Sequence, residues 1–169
     1  MKTPVTLMKE FPHAGRVTWL SRRPARRKPL LVTESLALEA GTGINGDHYQ
    51  GHSGKREVTL FQSEHLPVVA SLCDLKELSP ERLRRNILVA GINLLACRNR
   101  RIAVGDAAIL EITGICAPCS RMETELGRGG YNAMRGHGGV TARVIRGGLI
   151  VRGDRICVID ELEPASFPD

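Results

Sequence analysis

The sequence predicts a mostly β domain, a closed or curled barrel carrying a few short helices. Runs rich in Val, Leu, Ile and Thr outnumber helical periodicities, the helical stretches are short, and the strand-like runs of the last third follow one another at near-hairpin spacing. With 169 residues the chain fits a single domain over 1–169, its core spanning about residues 15–160. No internal repeat and no second core are visible. Hydrophobic residues at 42% and charged residues at 25% match globular averages, which excludes wholesale disorder.

Each element has a local reason. Gly15–Leu20 and Pro29–Leu38 read as two strands joined by a basic loop. From Ala40 to Lys55 the chain is dense in Gly, Asn, Asp and His, which predicts a long loop. Glu57–Phe61 resumes a strand; Ser63 is placed to cap a short helix whose Leu66, Val69, Ala70 and Cys73 share one face. Ser79 and Pro80 open a second short helix through Arg84, and Ile87–Val89 is the strand after it. Ala107–Ile112 is a further strand. Ser120 to Glu123 match the S-x-x-E capping box, with Gly127 where a helix of two turns would end. Val140–Ile145, Leu149–Val151 and Arg155–Ile159, set off by Gly147, Gly148 and Gly153, predict a closing meander.

Twenty-four Lys and Arg against 18 Asp and Glu give a net charge of +6, which favours anionic partners such as phosphates or carboxylates. Only six aromatics are scattered from Phe11 to Phe167, too few to build a stacking surface, so nucleic acid is not an expected partner. No apolar run approaches the roughly 20 residues that cross a bilayer, and no export signal is visible near Met1. A cytoplasmic protein without membrane association is expected. The five cysteines, Cys73, Cys97, Cys116, Cys119 and Cys157, form an odd set that fits reduced thiols. Only Cys116 and Cys119 lie close together, which argues against a structural zinc site.

The chemistry concentrates between Ile109 and Ile145. Cys119 would precede a helix, where the positive end of the dipole, free backbone N–H groups and Arg121 favour a thiolate, the form that ligates soft metals or attacks as a nucleophile. Cys116 reads as a small buried residue after a strand. The C-A-P-C spacing also allows a thioredoxin-like dithiol, although such motifs require a βαβ surround and a long following helix. His137, flanked by glycines in RGHGG, is free to approach a ligand, as are His48 and His52 in the glycine-rich loop; His13 and His65 carry no signal beyond surface or hydrogen-bonding roles. Lys55, Arg56 and Thr59 offer cations and a hydroxyl beside a strand.

Taken in order, GINGDHY (Gly43–Tyr49), GKREVTL, LRRNILVAGINLL (Leu83–Leu95), VGDAAILEITGICAPCSRME, GGYNAMRGHGGVTARV and the GD at Gly153 resemble the MOSC domain, named after the C-terminal part of the molybdenum cofactor sulfurases. The resemblance spans about residues 15–160 and is closest to the stand-alone bacterial type. It implies a barrel-like β fold and a site for the molybdopterin form of the molybdenum cofactor, with Cys119 matching the family's single metal-ligating cysteine. Arg84, Arg85 and Asn86, Lys55, Arg56 and Thr59, and Arg121 are candidates to hold the cofactor, and Cys119 and His137 to act in catalysis. The implied activity is reduction of N-hydroxylated small molecules with electrons from an outside donor; the alternative is a carrier of persulfide sulfur or cofactor, supplied by a sulfur donor. Pyridoxal phosphate is not expected, and the sequence leaves the oligomeric state open.

Overall fold

A computed structural model describes residues 1–49 and 51–159. Gln50 of the expected loop, and residues 160–169 of the expected domain, lie outside that description. Among the described residues eleven strands follow in chain order: β1 (Gly15–Arg22), β2 (Leu31–Thr33), β3 (Ser35–Glu39), β4 (Gly43–Ile44), β5 (Val58–Gln62), β6 (Ile87–Ala90), β7 (Arg101–Val104), β8 (Ala108–Ile115), β9 (Val140–Arg146), β10 (Gly148–Val151) and β11 (Arg155–Ile159). The helices are α1 (Pro4–Leu7), α2 (His65–Leu72), α3 (Pro80–Leu83), α4 (Ser120–Leu126) and α5 (Gly130–Met134), with a 3-10 turn at Leu94–Cys97.

Seven strands close a barrel in the order β11-β7-β8-β9-β5-β6-β1, with β1 returning to β11, and β2 extends beyond β1. β5 and β6 run parallel, while the other pairings among the described residues are antiparallel. A parallel pair cannot be joined by a tight turn, so residues 63–86 must cross over, and α2 and α3 lie on that crossover. β10, β3 and β4 form a separate three-stranded sheet.

Strand alternation divides the apolar residues between two cores. Val58 and Leu60 of β5, Ile87 and Val89 of β6, and Val140, Ala142 and Val144 of β9 fill the barrel interior. Phe61, Leu88 and half-buried Trp19 point the other way, against Val69, Ala70, Leu83, Met122, Leu126 and Met134 of the helical layer. The single core expected from sequence is therefore two, one on each face of the same wall. Burying these side chains contributes about 1.5–3 kcal/mol each relative to exposure.

Several expectations are corrected. The predicted strand Pro29–Leu38 is broken at Glu34 into β2, which pairs with β1, and β3, which pairs with β10. The closing meander is not one: β10 leaves the barrel for β3, and β11 pairs with β7 and β1. The expected loop 40–55 contains β4. Ser63 is not a helix cap; α2 starts after Glu64, and the Ser63 hydroxyl lies 2.7 Å from that of Thr18. The capping box is displaced as well, since the N-cap residue is Cys119 and Ser120 is already the first residue of α4. Glu123 instead accepts from the backbone N–H groups of Gly129 (2.8 Å) and Tyr131 (2.9 Å), fixing the turn into α5. Gly127 ends α4 with φ 89° as expected.

At Gly139 the backbone has φ +84°, and a Cβ would overlap the Leu60 carbonyl. The substitution Gly139→Ala must therefore push β9 off β5, and it should lower unfolding free energy by about 2 kcal/mol or more in denaturant titration.

Candidate functional site

The outward-facing residues of five adjacent strands make a polar stripe beside the helical layer. Ser21 (end of β1), Asn86 (start of β6), Thr59 (β5), Thr141 (β9) and Thr113 (β8) lie along it. Asn86 is its centre: its Oδ1 accepts from the Thr59 amide (3.1 Å) and hydroxyl (2.8 Å), and its Nδ2 donates to Asp47 Oδ1 (3.1 Å) and to the Ser21 carbonyl (3.4 Å). The Thr59 hydroxyl accepts in turn from the Asn86 amide (3.1 Å). Thr141 and Thr113 hydroxyls lie 2.9 Å apart, and Thr113 also donates to the Lys55 carbonyl, which ties the Lys55 backbone to the stripe.

Asp47, from the glycine-rich loop, joins the same network. Its carboxylate accepts from Arg23 Nη2 (2.8 Å), Nε (3.2 Å) and backbone N–H (2.6 Å). Burial alone would raise its pKa, but the hydrogen bonds and charge of Arg23 outweigh burial and hold it below the ordinary carboxylate value.

Above this floor stand the cations. Arg84 takes the left-handed conformation (φ 55°) at the end of α3, which turns consecutive arginines to different places. Arg84 Nη1 reaches the Lys28 carbonyl (2.8 Å), while Arg85 is buried, donating from Nε to the Gly138 carbonyl (2.9 Å) and from Nη1 to the Leu83 carbonyl (2.8 Å). Burial lowers the Arg85 pKa; the thiols of Cys116 and Cys119 raise it, and Arg23 and Arg56 lower it further. A guanidinium keeps its charge in proteins, so this is a buried cation, and no carboxylate pairs with it among the described residues. Burial also lowers the Arg84 pKa, with Arg121 and Arg23 adding to the effect against Glu125 and Asp47.

The cysteines sit where these cations converge. β8 runs into Cys116, whose backbone N–H donates to the Gly139 carbonyl (2.9 Å) and whose buried thiol faces Arg56 Nη2 at 3.9 Å. Pro118 then leads to Cys119, extended and exposed at the start of α4. The buried Nε of Arg121 lies 3.4 Å from Glu125 Oε1, a loose ion pair without hydrogen-bond geometry. A Cβ at Gly138 would press on the Cys116 carbonyl, so the glycines around His137 allow that loop to lie against the cysteine turn. A cleft of about 500 Å³ adjoins the network, lined by Arg23, Pro24, Ala25, Arg26, His48 and Tyr49.

The sequence candidates therefore separate by position. Cys119, Arg56, Arg84, Arg85 and Arg121 lie within one electrostatic cluster, and Lys55 is exposed on the neighbouring segment. Thr59 and Asn86 belong to the floor: their polar side-chain atoms bond to protein partners. His137 is held beside the cluster by its neighbour Gly138. Sequence reasoning missed Arg23 and Asp47 as a pair, although GINGDHY and the basic run were its local signals. It also missed His65, whose ring meets that of His137 at 5.0 Å. The thioredoxin-like reading of Cys116 and Cys119 lacks its surround, because β8, which leads into them, is paired antiparallel on both sides and α4 ends at Leu126. No group of three or more His, Cys, Asp or Glu suited to a metal ion occurs among the described residues, and no described helix is long and apolar enough to cross a membrane.

A barrel wall with a cysteine at the head of a short helix and arginines gathered around it defines a class, and comparison identifies it. The MOSC domain family model matches residues 45–157, and the chain belongs to that family. YuaD from Bacillus subtilis has the same fold, with a TM-score of 0.75 at 19% identity over 85% of this chain and 94% of that chain. YiiM from Geobacillus stearothermophilus is similar at 0.67 and 15% identity, covering 86% of this chain and 75% of that chain. YiiM from Escherichia coli gives 0.66 at 15%, covering 88% and 72%. No curated protein matches the chain in sequence.

The Asp47 carboxylate has no exposed side-chain surface, so Asp47→Ala strips Arg23 and Asn86 of a buried partner. A loss of about 3 kcal/mol is expected in denaturant unfolding. The pH dependence has a definite sign: with its folded pKa below the unfolded one, Asp47 contributes stability above the ordinary carboxylate pKa that disappears as pH falls through the folded value. Acid titration of Asp47→Ala should show a shallower loss over that window than the wild type.

Proposed function

We propose that this MOSC protein binds the molybdenum cofactor in its molybdopterin form and reduces N–O bonds of N-hydroxylated small molecules with electrons from an external donor. The observation that carries the reading is Arg85, a buried guanidinium held by the Gly138 and Leu83 carbonyls, with no carboxylate partner among the described residues, where Gly138 packs on the turn that carries Cys116 and Cys119. A buried cation with that environment is suited to a thiolate and to an anionic ligand laid across it. The donor set also fits the cofactor: thiolate suits molybdenum, and the guanidiniums of Arg56, Arg84 and Arg121 suit a phosphate and the polar edges of a pterin. The family is associated with molybdenum cofactor binding.

In this reading Cys119 is the metal ligand, and the bound metal would supply two-electron redox chemistry. Arg85 holds the thiolate region and Gly138 in register. Arg56, Arg84 and Arg121, with Lys55 at the edge, attract and orient the anionic group. Asn86, Thr59 and Asp47 keep the wall beneath them rigid. His137 stands beside the cysteine turn as the side chain able to move a proton.

One observation favours a second reading. Cys119 is exposed, as a thiol that hands sulfur or cofactor to another protein must be. Mass spectrometry of protein purified without reductant separates the two, because persulfide on Cys119 supports the carrier and its absence in cofactor-loaded protein supports the reductase.

The decisive measurement is metal and pterin content after expression in a host that makes the cofactor. Near-stoichiometric molybdenum and pterin are expected in the wild type. Cys119→Ser should lose the metal, and Arg85→Met should weaken retention by roughly 10- to 100-fold. Wild-type protein with neither metal nor pterin overturns the cofactor reading.

A further inference from the structure

The helical layer holds a pair of imidazoles that the site described above does not use as a pair. His65 is the first residue of α2, and His137 lies in the loop between α5 and β9. Their rings meet edge to face, with centroids 5.0 Å apart and planes at 83°. Phe61 of β5 closes another side of His65, its ring edge-on at 6.4 Å. The Nδ1 atoms of both histidines are buried and make no hydrogen bond among the described residues. Leaving two buried ring nitrogens unpaired is costly, and a catalytic role is one physical reason for a structure to tolerate it.

The surroundings of His65 are asymmetric. Burial lowers its pKa and the His137 ring lowers it further, while Glu64 and the His137 backbone raise it. Glu64 is the nearby carboxylate on its own segment, and its Oε1 already accepts from the Gly91 amide at 2.6 Å. From β5 the neighbour is the uncharged Phe61, and from the α5–β9 loop it is His137. The pair thus disfavours two protons at once.

Resting on the cofactor reading above, we propose that His137 delivers the proton to the departing oxygen during N–O reduction, and that His65 is the positioning residue that orients its ring. In the overall step the N-hydroxylated compound takes up two electrons and two protons and yields the parent N–H compound and one water. The N–O bond breaks, and N–H and O–H bonds form. Two electrons come from an external low-potential reductant, reduced viologen in the assay. One proton comes from the His137 imidazolium, which solvent then reprotonates, and the other from solvent. His65→Phe keeps an aromatic ring of similar shape and removes the nitrogens.

The test uses full-length protein from a cofactor-producing host, with molybdenum and pterin quantified in every sample, an N-hydroxylated amidine as substrate and reduced viologen as donor. His137→Gln should keep metal and pterin but lower kcat by on the order of 100-fold with little change in KM. His65→Phe should lower kcat about tenfold and move the acid limb of its pH profile. Proton NMR titration of the imidazole C–H signals gives a readout independent of loading, in which the His65 midpoint should rise toward its ordinary value in His137→Gln. An unmoved His65 midpoint overturns the pair. Loaded His65→Phe with unchanged kcat and acid limb overturns the proton step while leaving the cofactor reading intact. Coupled titration in wild-type protein that carries neither metal nor pterin overturns the cofactor reading, and the proton step with it.

Discussion

The side chain of Asn86 holds together everything the site requires. It bonds to β5 through Thr59, to β1 through the Ser21 carbonyl and to the glycine-rich loop through Asp47. It does so where two parallel strands begin side by side, a place where regular pairing alone leaves backbone groups unsatisfied. Buried amide networks of this kind specify one arrangement because each member is satisfied only when all the others are in place. The position of Arg85, the very next side chain in the chain, follows from that fixed point.

Electrostatics explains why the floor needs such fixing. Like charges crowd here: burial lowers the pKa values of Arg84 and Arg85, and Arg121 and Arg23 lower that of Arg84 further, as Arg23 and Arg56 do that of Arg85. Two carboxylates, Asp47 and Glu125, offset part of that charge. The remainder is a standing preference for an anion, and like charges held this close stay together only because the scaffold beneath them does not yield.

Much of the barrel was legible because half of each strand faces apolar surroundings and the alternation survives in sequence; Arg155–Ile159 is recovered at its full length. Helices of four or five residues, such as α1 and α5, span too few turns for helical periodicity to be read. Partner choice was invisible as well: Leu149–Val151 reads as a strand, but nothing local says that it pairs with β3. At the site, Cys119 and the basic residues were legible because their chemistry is carried by type. Thr59 and Asn86 were read as ligand-binding groups because their partners lie on other strands. The Ser120–Glu123 motif misled by one residue, since Glu123 caps the next turn instead of its own helix. His65 had no local signal at all, because its significance comes from a ring brought in from a distant loop.

The barrel closes where its first and last strands meet, and that junction is narrow, with Gly15 opposite Ile156 and Arg16 opposite Arg155. Strands so distant in the chain can join only late in folding, after the entropic cost of a very long loop has been met. The strands that carry Thr59, Asn86 and Thr141 belong to the continuous run β8-β9-β5-β6-β1, which is complete before closure is required. Transient opening of the native protein would therefore begin at the junction, and the wall beneath Cys119 would remain assembled while the ring parts on its far side.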